Sequence, residues 1–159
     1  MKITTRTAEV TDAPAVAELL RALELFPHIH AQQPEVVVRQ VTRNLELCKD
    51  DDSHSVYLAQ DQRGKLVGYC AVHWLPYLMF SGPEGYISEL FLLDSARGLG
   101  IGGLLLETIK EEARNRGCSR LMLLNLRDRE SYQRGFYKKQ GWEERPEAAN
   151  FIFHLKDLP

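Results

Sequence analysis

"SARGLGIGGLLLETIKEEARNRG", residues 95–117, decides how the rest of the chain is read. Gly98, Gly100, Gly102 and Gly103 crowd the start of a stretch whose later apolar residues recur at helical spacing, and Arg97 precedes them. Glycine inside a helix costs about 1 kcal/mol relative to alanine. A helix that opens on several glycines therefore has a use for bare backbone. The first N–H groups of a helix lack intrahelical partners and together carry about half a positive charge. They attract phosphate. Glycines let the main chain touch the phosphate oxygens, and Arg97 adds a full charge. The stretch reads as a pyrophosphate cradle between a strand, "YISELFLLD" (86–94), and a helix over 100–116 with Leu104, Leu105, Ile109 and Ala113 facing inward. The plainer alternative is a tight strand-to-helix turn.

Working outward, residues 2–8 read as a strand. Thr11 and Asp12 are N-cap candidates, Pro14 suits a first turn, and Val16, Leu19, Leu20 and Leu23 share a helical face ending near Phe26-Pro27. Val37, Val41, Leu45 and Cys48 make one stripe of a second helix over 34–48. "SVYLAQ" (55–60) and "KLVGYCAVHW" (65–74) read as a hairpin across "DQRG" (61–64). An apolar loop (75–85) leads into the strand over 86–94. After the glycine helix come a strand (119–126), a helix (130–140) and a closing strand, "NFIFHL" (150–155). Strands come first as a meander and then alternate with helices, which is an α/β domain with a mixed sheet.

The 159 residues suit one domain with its own core. A net charge of −2 argues against a broad polyanion-binding face, so no nucleic-acid partner is expected. No apolar run approaches the roughly 20 residues of a membrane helix, and the N-terminus lacks a leader's apolar core, so no membrane association is expected. Cys48, Cys70 and Cys118 are odd in number and scattered, as free thiols in a reducing compartment would be. A cytoplasmic protein is expected.

Gly98, Gly100 and Gly103 also satisfy the dinucleotide pattern GxGxxG. Asp128 is a poor fit to the acidic partner such a fold wants, and the motif arrives too late for a doubly wound sheet. The nucleoside-triphosphate loop GxxxxGK[ST] is absent. Arg97-Gly98-Leu99-Gly100-Ile101-Gly102 instead resembles the R-x-x-G-x-G/A signature of the GNAT superfamily of N-acetyltransferases. The likeness extends to "YISELFLLDSARGLGIGGLLLE" and "FYKKQGW" (136–142), is tightest over 86–142, and covers nearly the whole chain. It implies a single domain over 1–159, with a mixed, mostly antiparallel sheet of six to seven strands flanked by about four helices. It also implies acetyl-CoA as co-substrate. Arg97, Gly98, Leu99, Gly100, Ile101, Gly102 and Gly103 would hold its pyrophosphate, and Leu92 and Leu93 would pair their backbone with the pantetheine arm.

Acetyl transfer to an amine needs a deprotonated amine, a polarised thioester carbonyl and a protonated leaving thiolate. The resemblance makes Tyr137 the acid for the coenzyme A sulfur, with Tyr132 as fallback. Glu89 is the base or amine-orienting candidate. Strict alternation puts Ile87, Glu89 and Phe91 on one strand face and Ser88, Leu90 and Leu92 on the other. A carboxylate in such a strand belongs at a cleft, because its burial is expensive. Many family members carry an asparagine at the start of the tyrosine helix. Glu130 and Ser131 occupy that neighbourhood here, and Asn125 is a substitute for the pantetheine contact. On the acceptor side, Phe26, His28, His73 and Trp74 are aromatic candidates, with core packing as the alternative for each. No metal is expected, since His28 and His30 lack a third ligand. The expected function is acetyl transfer to the primary amine of a small molecule in a ternary complex. The alternatives are an acyl-CoA-binding regulatory module and, remotely, a dinucleotide-dependent oxidoreductase. A homodimer is expected to form, if at all, through the 75–80 loop or the last strand.

Overall fold

The computed structural model describes residues 2–155. They fall into two compact units that divide between Leu124 and Asn125. In the first unit, β1 (Thr4–Thr7), β2 (His54–Gln60), β3 (Leu66–Leu75), β4 (Glu84–Leu92) and β5 (Arg120–Leu123) form one sheet in that order. Neighbours from β1 to β4 are antiparallel, and β5 runs parallel to β4. The β2–β3 hairpin turns where the sequence places it. The Asp61 carboxylate accepts the amides of Arg63 at 2.9 Å and Lys65 at 3.0 Å, as turn aspartates do.

Three helices separate β1 from β2: α1 (Ala13–Ala22), the single turn α2 (Pro27–His30) and α3 (Pro34–Asp50). Val16 and Leu19 of α1 and Val37, Val41 and Leu45 of α3 share one core with Leu58, Leu66 and Tyr69 of the sheet. Apolar side chains at helical spacing are driven from water at about 25 cal/mol per Å². The other sheet face is covered by α4 (Ile101–Asn115), which packs on β2, β3 and β4 and buries Leu105, Leu106 and Ile109.

The second unit holds two four-residue helices, α5 (Glu130–Gln133) and α6 (Phe136–Lys139). The single helix expected over 130–140 is broken at Gly135, whose φ of 64° lies in the left-handed region. Glu144 gathers this unit: it accepts the Tyr132 hydroxyl at 2.8 Å and pairs with Lys138 at 2.9 Å and Arg127 at 3.2 Å.

Five further expectations are corrected. The described residues contain five strands rather than six or seven, and six helices rather than four. "NFIFHL" forms no strand: Phe151, Ile152, Phe153 and Leu155 are exposed and pair with no described neighbour. An alternating segment becomes a strand only where another strand takes its N–H and C=O groups. The first helix ends at Ala22, ahead of Phe26. Leu104 faces outward, and Leu106 takes the inward place assigned to it.

Candidate functional site

The geometry of the site follows from one irregularity in β4. Across the β3–β4 ladder Ala71 pairs with Glu89 while the next residue, Val72, pairs with Ile87. Ser88 is therefore an extra residue, a β-bulge. Cross-strand partners share a face, and Ala71 and Val72 point to opposite faces. The expected grouping of Ile87 with Glu89 is thus corrected. Ile87 lies on the α4 side with Leu90 and Leu92, whose partners are Cys70 and Gly68. Glu89 and Phe91 lie on the side of α1 and α3, opposite Ala71 and Tyr69.

Beyond the bulge, β4 loses its parallel neighbour. Pairing with β5 runs from Glu84–Arg120 to Ile87–Leu123 and stops. From Ser88 to Leu92 the β4 edge turned away from β3 has no strand partner among the described residues. The closed end is anchored by Glu84, fully buried, whose Oε2 accepts Arg120 Nε; the guanidinium lies 4.6 Å from the Phe80 ring centre.

The glycine turn follows that open edge. Asp94–Ala96 form a 3-10 turn, Arg97 is extended and bonded to Asp94 at 2.9 Å, and Gly98 and Gly100 take φ of 75° and 79°. α4 begins at Ile101 without a side-chain cap, and its first intrahelical bond runs from the Leu104 amide to the Gly100 carbonyl, 3.0 Å. None of the amides from Gly98 to Gly103 donates to a described residue. Leu99 is exposed, and Ile101 is buried beneath the turn. Leu92 closes β4, and the Leu93 amide is bonded to Val67 O at 2.9 Å. The arrangement suits an anion held by main-chain N–H groups at the positive end of a helix dipole.

Glu89 stands exposed on its strand with one oxygen, Oε2, accepting the hydroxyl of Tyr69. Tyr69 is only 3% exposed, and burial, reinforced by the Glu89 charge, holds its phenol far above the ordinary tyrosine range. It is a fixed donor that leaves the second carboxylate oxygen free of that bond. Phe91 lies beside both: its ring centre is 5.8 Å from that of Tyr69 and 5.0 Å, edge-on, from that of Phe26. His28 stands edge-on to Phe26 at 6.0 Å. His73 reaches the bulge, with Nε2 3.1 Å from the Ser88 hydroxyl. Burial and the neighbouring His54 lower its pKa, and Glu89 works against them. Cys48, at the end of α3, has its thiol pushed up by burial, with Glu89 adding to the effect.

The structure thus gathers Glu89, Phe26, His28 and His73 on the α1–α3 side of the sheet. Trp74 is a core residue instead. It is 5% exposed, donates its indole N–H to Ser55 at 3.1 Å, and lies under Arg116, 4.8 Å from the ring centre. Sequence reasoning missed Tyr69, Ser88, Phe91 and His54. Tyr69 and His73 do stand four apart in one strand and so share a face, but only the β3–β4 register shows that this face carries Glu89.

In the second unit, Tyr137 on α6 packs against Phe136 at 4.9 Å and Trp142 at 6.2 Å, and its carbonyl accepts the Trp142 amide. Asn125 accepts the Ser131 hydroxyl at 3.0 Å.

Comparison with known proteins agrees with this layout. A family model described as "Acetyltransferase (GNAT) family" matches residues 15–142. An uncharacterised N-acetyltransferase of Bacillus subtilis (strain 168), YhfO, is 26% identical over 155 residues, 97% of each chain. A thialysine N-epsilon-acetyltransferase of Mus musculus is 27% identical over 93 residues; the match covers 58% of this chain and spans only 54% of that protein's length. Among solved structures, a transcriptional regulator from Bacillus halodurans C-125 shares the fold with a TM-score of 0.82 at 24% identity, covering 96% of this chain and all of that one. No helix among the described residues is long and apolar enough to cross a membrane.

Proposed function

The chain belongs to the GNAT acetyltransferase family, and from that premise we propose that it transfers an acetyl group from acetyl-CoA to the primary amine of a small molecule. The observation that carries the reading is the sequence of a bulged, half-open β4 edge followed directly by a turn of uncommitted amides at the head of α4. In this reading those amides, from Gly98 to Gly103, and Arg97 hold the pyrophosphate, and the main chain of Leu92 and Leu93 aligns the pantetheine arm. Bound there, acetyl-CoA supplies an acetyl group already activated as a thioester.

The remaining roles fall to side chains. The free oxygen of Glu89 takes a proton from the amine or aligns it, while the Tyr69 hydroxyl fixes the carboxylate's orientation. Phe26 and Phe91 offer ring faces and edges to an ammonium or its carbon chain. Tyr137 protonates the leaving sulfur and Asn125 steadies the arm; both roles come from the likeness of their stretches to the family. The mouse relative, whose name describes acetylation at an ε-nitrogen, supports an amine at the end of a flexible chain.

The test is thermal unfolding with saturating acetyl-CoA, beside NADH and ATP, followed by thiol release with a panel of small amines and peptides. A ligand at 100 times its Kd adds about 2.7 kcal/mol, roughly 5–11 °C for a chain of this size. Stabilisation by acetyl-CoA alone and amine-dependent thiol release are expected, and Tyr137→Phe should slow release at least tenfold, in line with acid–base contributions of roughly 10²–10⁴. Binding without release on any acceptor would make the chain a regulatory acyl-CoA-binding module instead.

A further inference from the structure

We propose that residues 150–155, "NFIFHL", add as an antiparallel strand to the free edge of β5 in a second copy of this chain, and that the exchange is reciprocal, giving a closed dimer. The interaction needs neither co-substrate nor acceptor. It starts from two unmet requirements. No main-chain N–H or C=O of residues 150–155 is bonded to a described residue. Phe151, Ile152, Phe153 and Leu155 stand exposed at 72–91% of their full area. β5 ends the sheet, so its edge turned away from β4 has no strand partner among the described residues. An extended apolar segment and an apolar edge each lack what the other supplies.

The fit is specific to β5. The sheet's other edge, β1, reads Thr-Thr-Arg-Thr and carries the charge of Arg6, as guarded edges do. β5 reads Arg-Leu-Met-Leu, and its last three residues are only half-buried. Leu121 and Leu123 pair with Gly85 and Ile87 and so lie on the face of α4; a Cβ on Gly85 would strike both Leu121 and the Trp74 ring of that same face. Phe151, Phe153 and Leu155 alternate in the same way, with Ile152 and His154 on the other side. In the antiparallel direction, the more stable pairing, Phe151 stands opposite Leu123 and Phe153 opposite Leu121, an apolar cross-strand pair at each step. The same direction carries Leu155 toward the loop before β4. That loop is tied to the start of β5 by the Gly82 amide on Ser119 Oγ at 3.0 Å and the Ser119 amide on Pro83 O at 2.8 Å, and it exposes Leu78 and Met79.

In the single chain both segment and edge remain unpaired, so the occupant comes from outside it. Reciprocal exchange about a two-fold axis satisfies both elements in both copies, whereas one-way addition leaves an end that grows. Each segment exposes roughly 600 Å² of apolar area, at about 150–250 Å² for a large side chain. That equals the largest apolar patch of a typical monomer, about 300–600 Å². Covering half of it, with an equal area on the receiving edge, in both copies buries about 1,200 Å² in all, which is what a specific interface requires.

Light scattering over a dilution series of the full chain should show a two-chain particle that dissociates to monomer. Phe151→Glu together with Phe153→Glu puts charges where the single chain is exposed. The fold should therefore persist by circular dichroism while the dimer dissociation constant rises about thirtyfold or more, the effect of removing a central aromatic anchor. Cross-linking identifies whose edge is covered. In a background of Cys48→Ser and Cys118→Ser, with Cys70 fully buried, chains bearing Met122→Cys are mixed with chains bearing Ile152→Cys and treated with a short bis-maleimide. A mixed two-chain product is expected. A monomer at every concentration overturns the proposal, and so does a dimer indifferent to the two glutamates, because its interface lies elsewhere. A link formed within single chains that bear both cysteines, in place of the mixed product, overturns it too, because the segment then covers its own edge. Assemblies that keep growing with concentration overturn the closed exchange.

Discussion

Gly100→Ala separates a phosphate cradle from a mere turn. Gly100 has φ 79° and ψ 0° immediately before α4, and a methyl group there meets nothing within 4 Å. No neighbour clashes, so the stability cost is the left-handed backbone alone, about 1–2 kcal/mol for a residue with a Cβ. At roughly 2–4 °C per kcal/mol for a chain of this size, Tm without ligand should fall by about 2–8 °C. Acetyl-CoA at 100 times its wild-type Kd should raise the wild-type Tm by roughly 5–11 °C. If the methyl group weakens binding tenfold, the ligand contributes only about 1.4 kcal/mol and the shift halves. Gly117→Ala is the matched control. Gly117 also has positive φ, 65°, and open space around it, but it follows the far end of α4. It should lose comparable stability and keep the full ligand shift. Differential scanning fluorimetry reads both quantities. An undiminished acetyl-CoA shift in Gly100→Ala, beside the expected drop in Tm, would refute the argument that the backbone is bare for the sake of a phosphate.

Tyr69→Phe removes the hydroxyl that orients Glu89 while keeping the ring in the core; kcat should fall about tenfold, within the effect of a misoriented base, with Tm within a few degrees of wild type, and an unchanged kcat would show that Glu89 needs no orienting. Arg120→Ala leaves Glu84 buried without its partner; breaking such a pair costs about 3–5 kcal/mol, and urea denaturation should show it, while wild-type stability would refute it. Asp12 is held below the ordinary carboxylate range chiefly by its hydrogen bonds from Arg6, at 2.6 and 2.7 Å. A depressed carboxylate stabilises the fold above its unfolded pKa, about 3.9, and that contribution is lost as pH falls through the lower folded value. Asp12→Asn should therefore cost about 1 kcal/mol at neutral pH, discounted for the exposure of Arg6, and flatten the acid limb of a pH–Tm series.

What was legible in the sequence was whatever rests on local spacing. The stripe Val37, Val41, Leu45 becomes the buried face of α3, the Asp61 turn closes its hairpin, and the glycine run opens α4. What was not legible depends on partners distant in the chain. "NFIFHL" alternates as a strand should, yet a strand exists only with a neighbour. Trp74 is an acceptor-side candidate only by the family likeness; it adjoins His73, but adjacent strand residues face opposite ways, and its face is the one covered by α4. Glu89 was legible as a site residue from its cost of burial. Its donor, Tyr69, was not, because twenty residues and an unknown register separate them.

The bulge at Ser88 resolves a conflict written into "YISELFLL". Strict alternation would align Ile87, Glu89 and Phe91. Ile87 is buried, so Glu89 would then face the α4 core, where an unpaired carboxylate is several kcal/mol too expensive. One extra residue changes the phase. Ile87, Leu90 and Leu92 then share the α4 face, and Glu89 and Phe91 turn to the face of Tyr69 and Phe26. The spacing of three between Ile87 and Leu90, where an unbroken strand would show two, is the trace this leaves in the sequence. Two further features coincide with the same irregularity. The ladder with β5 stops at Ile87, so the β4 edge from Ser88 to Leu92 has no strand partner among the described residues, and the Ser88 hydroxyl meets His73. Carboxylate placement and open edge thus meet at one residue. Deleting Ser88 should therefore affect more than local stability: it would restore strict alternation and carry Glu89 into the core, so that binding, turnover and folding fail together, whereas Ser88→Ala, which keeps the backbone count, should spare folding and acetyl-CoA binding and weaken only the contact to His73.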